Sequence, residues 1–358
     1  EDLDMVISPL LLALAILPAM PIVEDDAVLA EGRKLLDGQH APAAIEHLDA
    51  ALSTGTSDER AVRLLLSEAR LLNAEPELAL EVLAGLDWES DYEVALAMGR
   101  AQAAWAGWQQ SPEDAQFVVM DAISYLERAV ELAPAGDHRA RVDVGFLYLD
   151  SLQDHQTATQ LADEGLATDP EQGELLFLRG AAGTYTYWNA YQTGDEEATK
   201  AAMEASVTDL LAAVDRMPRD QVGPWVRLQW LYKTNGQPRD CVRAAIEIID
   251  RQPDTPFDNL YALARQYAAE REWEAAGAAL EKMVSLSARE LTDRIRRESP
   301  EDFEWVTQYL AWSIDPFFNR NDQGTARAIL AAIVAANPKN TEDFEWVTQY
   351  LAWSIDPF

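Results

Sequence analysis

The chain is poor in the residues on which most protein chemistry depends. Cys241 is its only cysteine, which excludes an internal disulfide and any cysteine-built metal cluster. This does not exclude export; it means that burial of apolar surface must hold the fold. The four histidines, His40, His47, His138 and His155, are scattered, with none of the i, i+4 pairing that brings two imidazoles to one metal. Gly-rich phosphate or dinucleotide loops and a GxSxG nucleophile turn are missing as well. Carboxylate pairs such as Glu196 and Glu197 read as solvated surface. Residues 319–324, NRNDQG, resemble a calcium loop only superficially, because Asn opens it and Leu330 stands where a bidentate Glu is needed. The expectation is a non-catalytic protein with no cofactor and no metal.

Basic residues are scarce too. Lys and Arg number 28 against 62 Asp and Glu, a net charge of -34 over 358 residues. Such a surface repels a phosphate backbone, so nucleic acid is not an expected partner. The charge serves solubility and attracts basic partners or cations. Runs of alternating Val, Ile and Thr are absent, whereas Ala, Leu and Glu dominate, so helices are expected throughout. No Pro/Gly/Ser linker or low-complexity tract divides residues 25–358, which read as one continuous domain.

What is present is a recurring pattern, clearest in residues 222–253, VGPWVRLQWLYKTNGQPRDCVRAAIEIIDRQP. Apolar residues at Trp225, Leu228, Leu231 and Tyr232 mark one helix, and Asn235, Gly236 and Pro238 break it. Cys241, Ala245, Ile248 and Ile249 mark a second. The stretch resembles the tetratricopeptide repeat: Trp225, Leu228, Tyr232 and the closing Pro253 match that pattern, while Gln229, Cys241 and Ala245 replace the usual Gly, Ala and Phe. Cys241 falls where two helices need a small residue, a packing role.

The pattern recurs along the chain. Gly32 with Ala44, Leu48 and Ala51 forms a first unit, and Leu66 with Ala79, Leu83 and Leu86 a divergent second. Gly99 with Ala122, Leu126, Ala129 and Pro134 forms a third, and Gly145 with Ala158, Ala162, Gly165 and Pro170 a fourth. Gly180 with Ser206, Leu210, Ala213 and Pro218 forms a fifth. The seventh starts at Leu260, Leu263 and Tyr267, and the eighth at residues 301–313. Insertions of roughly a dozen residues separate Gly99 from Ala122, with Trp105 and Trp108 inside, and Gly180 from Ser206; such insertions lengthen both helices or add a loop, and they mark candidate binding surfaces. The resemblance implies an all-α, right-handed superhelical solenoid of antiparallel helix pairs, about eight repeats long, whose members hide their apolar faces only by stacking.

The resemblance also implies a groove lined by the first helix of each repeat, which places Phe146, Phe177, Trp230, Lys233, Tyr261 and Arg265 on its wall. Aromatics and Arg dominate recognition energy at interfaces. The cluster Tyr185, Tyr187, Trp188 and Tyr191 has helical spacing that suits either ligand stacking or core packing. The clamp that some relatives use for acidic C-terminal tails, a Lys and an Asn one turn apart on the first helix, is not expected. The corresponding pairs are Leu29 with Arg33, Leu64 with Glu68, and Leu96 with Arg100.

Both termini are apolar. Residues 5–23 carry no charge and include Leu10, Leu11, Leu12, Leu14, Ile16 and Leu17, a run of secretory-signal length that lacks a preceding Lys or Arg. An export signal, a segment retained for packing or assembly, and a membrane anchor are the alternatives for residues 1–24. They point to an extracytoplasmic location: periplasm, cell surface or secretion. At the other end, residues 301–317, EDFEWVTQYLAWSIDPF, recur unchanged as residues 342–358. Phe344, Trp346, Tyr350, Leu351, Trp353 and Phe358 give this half repeat an apolar face broader than a solenoid cap needs.

Three functions follow as expectations. One is a scaffold for protein partners. Another is a subunit that polymerises head to tail into a filament with further copies of itself. The third is an extracytoplasmic binder of small ligands through the 185–191 aromatics.

Overall fold

The computed structural model describes residues 27–56, 58–252 and scattered positions between 260 and 282. These residues are all-α, with no strand among them, and fall into two compact units divided between Gln221 and Val222. The first unit holds five helix pairs. In chain order they are α1 (Ala27–Asp37) with α2 (Ala41–Thr54), α3 (Glu59–Leu72) with α4 (Pro76–Leu83), α5 (Tyr92–Ala106) with α6 (Pro112–Leu132), α7 (Arg139–Phe146) with α8 (His155–Leu166), and α9 (Gly173–Thr193) with α10 (Glu196–Arg216). The second holds α11 (Gly223–Thr234) with α12 (Pro238–Arg251).

Short polar residues fix where the helices start. Asp58 accepts from Ala61 N at 2.9 Å, Ser111 from Asp114 N at 3.1 Å, Asp154 from Thr157 N at 3.0 Å and Asp195 from Ala198 N at 3.0 Å. Each satisfies a first-turn amide that has no partner within its helix. Proline works at both ends of the pairs. Pro134, Pro170 and Pro218 follow α6, α8 and α10 as the repeat pattern requires, and a second set, Pro42, Pro76, Pro112, Pro224 and Pro238, sits in the first turn of α2, α4, α6, α11 and α12. There a missing N–H costs nothing.

Within the first unit each helix packs on its hairpin partner, and the closing helices α2, α4, α6 and α8 pack on the helix that opens the next hairpin; α1 also packs on α3, α3 on α5 and α7 on α9. The core is therefore a series of clusters, each shared between neighbours. Leu48 of α2 and Leu65 and Leu66 of α3 belong to one, and Leu64, Leu83 and Val94 join α3, α4 and α5 in the next. Leu126 and Val144 carry the core from α6 to α7, and Leu149, Leu175 and Leu178 carry it on to α9. Burying each such Leu stabilises by roughly 1.5–3 kcal/mol, and no hairpin could do so alone.

The two insertions foreseen from spacing have different outcomes. Between Gly180 and Ser206 the extra residues lengthen both helices, so α9 and α10 are 21 residues each. Gly194 closes α9 at φ 72°, a left-handed turn that a Cβ would strain. Between Gly99 and Ala122 the extra residues lengthen α6 to 21 residues, while α5 ends at Ala106 and a loop carries Trp108. Between these long hairpins, α7 runs directly into a π turn, Leu147–Ser151, in which Leu152 N donates to Leu147 O at 3.3 Å. The helical period of the residues there carries no sign of that widening.

In the second unit, Trp225, Leu228, Leu231 and Tyr232 of α11 and Cys241, Val242, Ala245, Ile248 and Ile249 of α12 are buried. Cys241 is fully buried, and burial raises its thiol pKa above the usual range. Leu260, Leu263 and Tyr267 are buried at helical spacing in the same unit. Residues 1–24, residues 319–324, the duplicated segment 342–358 and the first copy of it at 301–317 lie outside the described residues.

Candidate binding cleft

The opening helices of four successive hairpins form a cleft. Arg33 of α1, Leu64, Ser67, Glu68 and Leu71 of α3, Glu93, Leu96, Ala97 and Arg100 of α5, and Arg139 of α7 line a shallow depression open to solvent. Every lining residue comes from an opening helix because the closing helices α2, α4 and α6 pack behind them.

Guanidinium–carboxylate pairs order the cleft. Arg33 Nη1 donates to both oxygens of Glu68, at 3.0 and 2.9 Å, with each side chain 14% exposed. Arg100 Nε donates to Asp143 of α7 at 2.5 Å. Arg139 Nη2 reaches back from α7 to Glu93 at 2.7 Å and also binds Asp137 at 2.7 Å, its guanidinium lying 5.3 Å from the centre of the Tyr92 ring. Burial works against the charge of Arg139, but the bonds to Asp137 and Glu93 outweigh it and raise its pKa. The converse holds at Asp137, where burial pushes the carboxyl up and the bonds from Arg139 more than offset it, leaving the pKa low.

Two polar groups in the cleft lack partners. Ser67 is 1% exposed and its Oγ has no hydrogen bond; Arg33 Nη2 is buried and likewise unsatisfied. An unmade buried hydrogen bond costs about 1–3 kcal/mol, so both atoms would gain from a partner that a shift of the wall brought within reach. The lining sets three guanidinium groups against two carboxylates, near neutrality in a chain of net charge -34. Apolar Leu64, Leu71, Leu96 and Ala97 complete the wall. The combination suits a polypeptide backbone: polar groups to pair its N–H and C=O, and apolar surface for its side chains.

Four of the six residues expected on a groove wall are among those described. Phe146 is only 9% exposed and packs on half-buried Phe177, their ring centres 4.9 Å apart, so the two rings fill the seam between α7 and α9. Trp230 is half-buried and Lys233 exposed on α11, in the other unit. Tyr261 and Arg265 lie outside the described residues. Phe146 and Phe177 thus serve the stacking between two hairpins of the first unit.

The aromatic cluster on α9 divides in the same way. Tyr187 is fully buried, a core residue rather than a ligand platform. Tyr185 is half-buried and stacks on His155 at 6.4 Å. Trp188 is half-buried and stacks at 5.6 Å on Tyr191, which is 51% exposed. In the sequence, Arg33, Glu68 and Arg100 stand out only as positions that fail to make a tail clamp. Their alternating sign at one repeat position, after Gly32, Ser67 and Gly99, is the available signal for the Arg33–Glu68 pair. Glu93, Arg139 and Asp143 carry no comparable signal. Among the described residues no group of three or more His, Cys, Asp or Glu could hold a metal, and no helix is long and apolar enough to cross a membrane.

In the first unit the arrangement defines a stack of helix hairpins, each closed against the next. Among solved structures it is similar to the human IFIT1 dimer with m7Gppp-AAAA, at a TM-score of 0.51 and 12% identity, covering 92% of this chain and 72% of that one. It is also similar to TTC0263, a thermophilic TPR protein of Thermus thermophilus, at a TM-score of 0.45 and 16% identity over 57% of this chain and 97% of that one. Pseudomonas aeruginosa PilF matches at 0.43 and 15%, covering 68% and 96%. No family model and no curated protein matches the sequence. The fold is that of the tetratricopeptide-repeat proteins.

Proposed function

We propose that this chain is a non-catalytic helical-repeat scaffold that holds a segment of a protein partner in the cleft between α1, α3, α5 and α7. The observation that carries the reading is the pair of buried, unpartnered donors, Ser67 Oγ and Arg33 Nη2, on a wall otherwise satisfied and near neutral. Empty, they cost stability; occupied, they bond to peptide carbonyls. The IFIT1 structure contains m7Gppp-AAAA, but a net charge of -34 opposes a phosphate backbone, so nucleic acid is not the partner proposed.

Selection of peptides from a displayed random library on the purified chain, followed by affinity measurement on Arg33→Gln and Arg100→Gln variants, tests this. Selected peptides should lose at least about tenfold in affinity, roughly 1.4 kcal/mol, on each variant. Peptides indifferent to both substitutions, or no enrichment at all, would overturn the cleft as the site.

The apolar termini support a second reading, export followed by head-to-tail self-assembly. Leu10–Leu12, Leu14, Ile16 and Leu17 would meet the face carrying Phe344, Trp346, Tyr350, Leu351, Trp353 and Phe358. Sedimentation over a hundredfold concentration range checks it: a ladder or fibre abolished by Trp346→Ser with Tyr350→Ser supports assembly, and a single species at all concentrations opposes it. Small-ligand binding has less to rest on, since Tyr187 is buried and of its cluster only Tyr191 is exposed.

A further inference from the structure

The tip of the α5–α6 hairpin carries an apolar patch remote in kind from the polar cleft. Among the described residues six large apolar side chains are exposed, and three of them, Trp108 at 57%, Phe117 at 73% and Met120 at 49%, belong to this one tip. Trp108 lies in the loop between the helices, and Phe117 and Met120 are one turn apart on α6. Met120 is eight residues into α6, so the stripe runs about 12 Å back from the helix start at 1.5 Å per residue. Single exposed apolar residues are ordinary, but three near the turn of one hairpin mark a contact surface.

The charges around the stripe are all of one sign. From Arg100 to Arg128 there is no Lys or Arg, whereas Glu113, Asp114, Asp121 and Glu127 all fall in that interval. On α6, Glu113 and Asp114 lie one turn before Phe117 and Asp121 one turn after it, all three exposed. Asp114 is engaged with Ser111 Oγ at 2.8 Å and Asp121 receives Gln102 Nε2 at 3.5 Å, so neither is neutralised by a cation.

An aromatic and Met stripe edged by carboxylates excludes several occupants on electrostatic grounds. A second copy would bring the same negative edge, an anionic membrane surface would be repelled, and so would a nucleic acid. A helix with one apolar stripe flanked by Lys and Arg fits both features at once, placing its cations against the carboxylates and over the exposed faces of Phe117 and Trp108. We infer that the tip of the α5–α6 hairpin, through Trp108, Phe117 and Met120, is a docking surface for a basic amphipathic helix of a partner protein. This site is separate from the cleft and stands whether or not the cleft binds peptide.

A synthetic helix of Leu and Lys five turns long, with Leu at i, i+3, i+4 and i+7, is the probe, and the same pattern with Glu in place of Lys is its control. Binding to the full chain is measured by fluorescence anisotropy at physiological salt. The wild type should bind the Lys peptide at least tenfold more tightly than the Glu peptide. Phe117→Ser with Met120→Ser should weaken Lys-peptide binding at least tenfold with circular dichroism and thermal midpoint unchanged. Trp108→Ser should weaken it independently, so the inference stays testable if the double variant fails to fold. Glu113→Gln with Asp121→Asn should weaken it while leaving the apolar stripe intact. Equal binding by wild type and the apolar variants would show that net charge alone attracts the peptide and would overturn the site. Preference for the Glu peptide, binding instead to zwitterionic lipid vesicles, or concentration-dependent self-association lost in Phe117→Ser would overturn the assigned occupant.

Discussion

Leu126 of α6 occupies the space that a side chain on Gly99 of α5 would need. A Cβ at Gly99 would stand 2.4 Å from Leu126 Cγ and 3.3 Å from the carbonyl oxygen of Ala122, neither of them a freely moving chain end. The same repeat position is filled from a neighbouring helix elsewhere, with Leu178 at 2.3 Å from a Cβ on Gly145 and Leu210 at 2.8 Å from one on Gly180. Close approach of the helices at Gly99, Gly145 and Gly180 therefore depends on a hydrogen in that slot.

Gly99→Ala is expected to destabilise the first unit by about 1–3 kcal/mol through overpacking, despite the roughly 1 kcal/mol by which Ala otherwise favours a helix. Gly32→Ala should cost less, because its nearest Cβ contacts would be Leu Cδ atoms, at 2.9 and 3.0 Å. Urea denaturation of both variants checks the ranking. A Gly99→Ala, Leu126→Ala double variant should lose less than the sum of its parts, since the two sites share one volume.

Asp91 couples a helix cap to an interhairpin ion pair. Its carboxylate accepts from Glu93 N at 3.1 Å and Val94 N at 3.3 Å to cap α5, and from Arg60 Nη2 of α3 at 2.6 Å. Burial raises its pKa, but Arg60 and the two amides more than offset this and hold it below the usual carboxylate range. Asp91→Ala should cost about 1–2 kcal/mol, most of it the cap. The stabilisation is complete above the unfolded carboxyl pKa, near 4, and is lost as pH falls through the lower folded value. Wild type and variant should therefore converge in urea titrations taken progressively below about pH 4.

Much of the fold was legible because repetition averages out local ambiguity. Gly32, Gly99, Gly145 and Gly180, the Ala positions and the closing prolines each recur at one place in a unit, and each of these glycines faces a neighbouring helix in the structure. The candidate site was less legible, for a physical reason. Aromatics such as Phe146 and Tyr187 carry the same spacing whether they meet a ligand or the next hairpin, and only burial distinguishes the two. The cleft depends on Arg100 finding Asp143 and Arg139 finding Glu93 across two repeats, and pairings of that range have no local period. The π turn at Leu147–Ser151 was hidden because one extra residue in a helix leaves composition unchanged.

Ser67→Ala separates stability from binding. Ser67 replaces the Gly of other repeats at the cleft floor, and its Oγ is buried without a partner. Removing that hydroxyl should leave the free chain as stable or up to about 1 kcal/mol more stable, since an unsatisfied polar group is deleted. Affinity for a cleft-selected peptide should fall several-fold in the same variant. Thermal midpoints and isothermal titration made on one preparation give both values, and a loss of stability would mean that Ser67 is bonded within the free protein.

His138 predicts a pH response at mildly acidic values. Its ring is 5% exposed where α7 begins, with Nδ1 3.4 Å from Arg141 Nη1 and Nε2 buried without a partner. Burial, and after it the charge of Arg141, lowers its pKa, although Asp169 and Asp137 pull the other way. The unfolded chain then takes up a proton near about pH 6.5 while the folded chain does not, so the neutral ring's contribution is complete above that value. It declines as pH falls towards the lower folded pKa. Carboxylate protonation also relieves the repulsion of a highly acidic chain, so the comparison has to be made against His138→Gln at each pH. From about pH 7.5 to about 5.5 the wild type should lose stability relative to that variant. A difference between the two that stays constant across this range would show that His138 takes up its proton equally in the folded and unfolded chain.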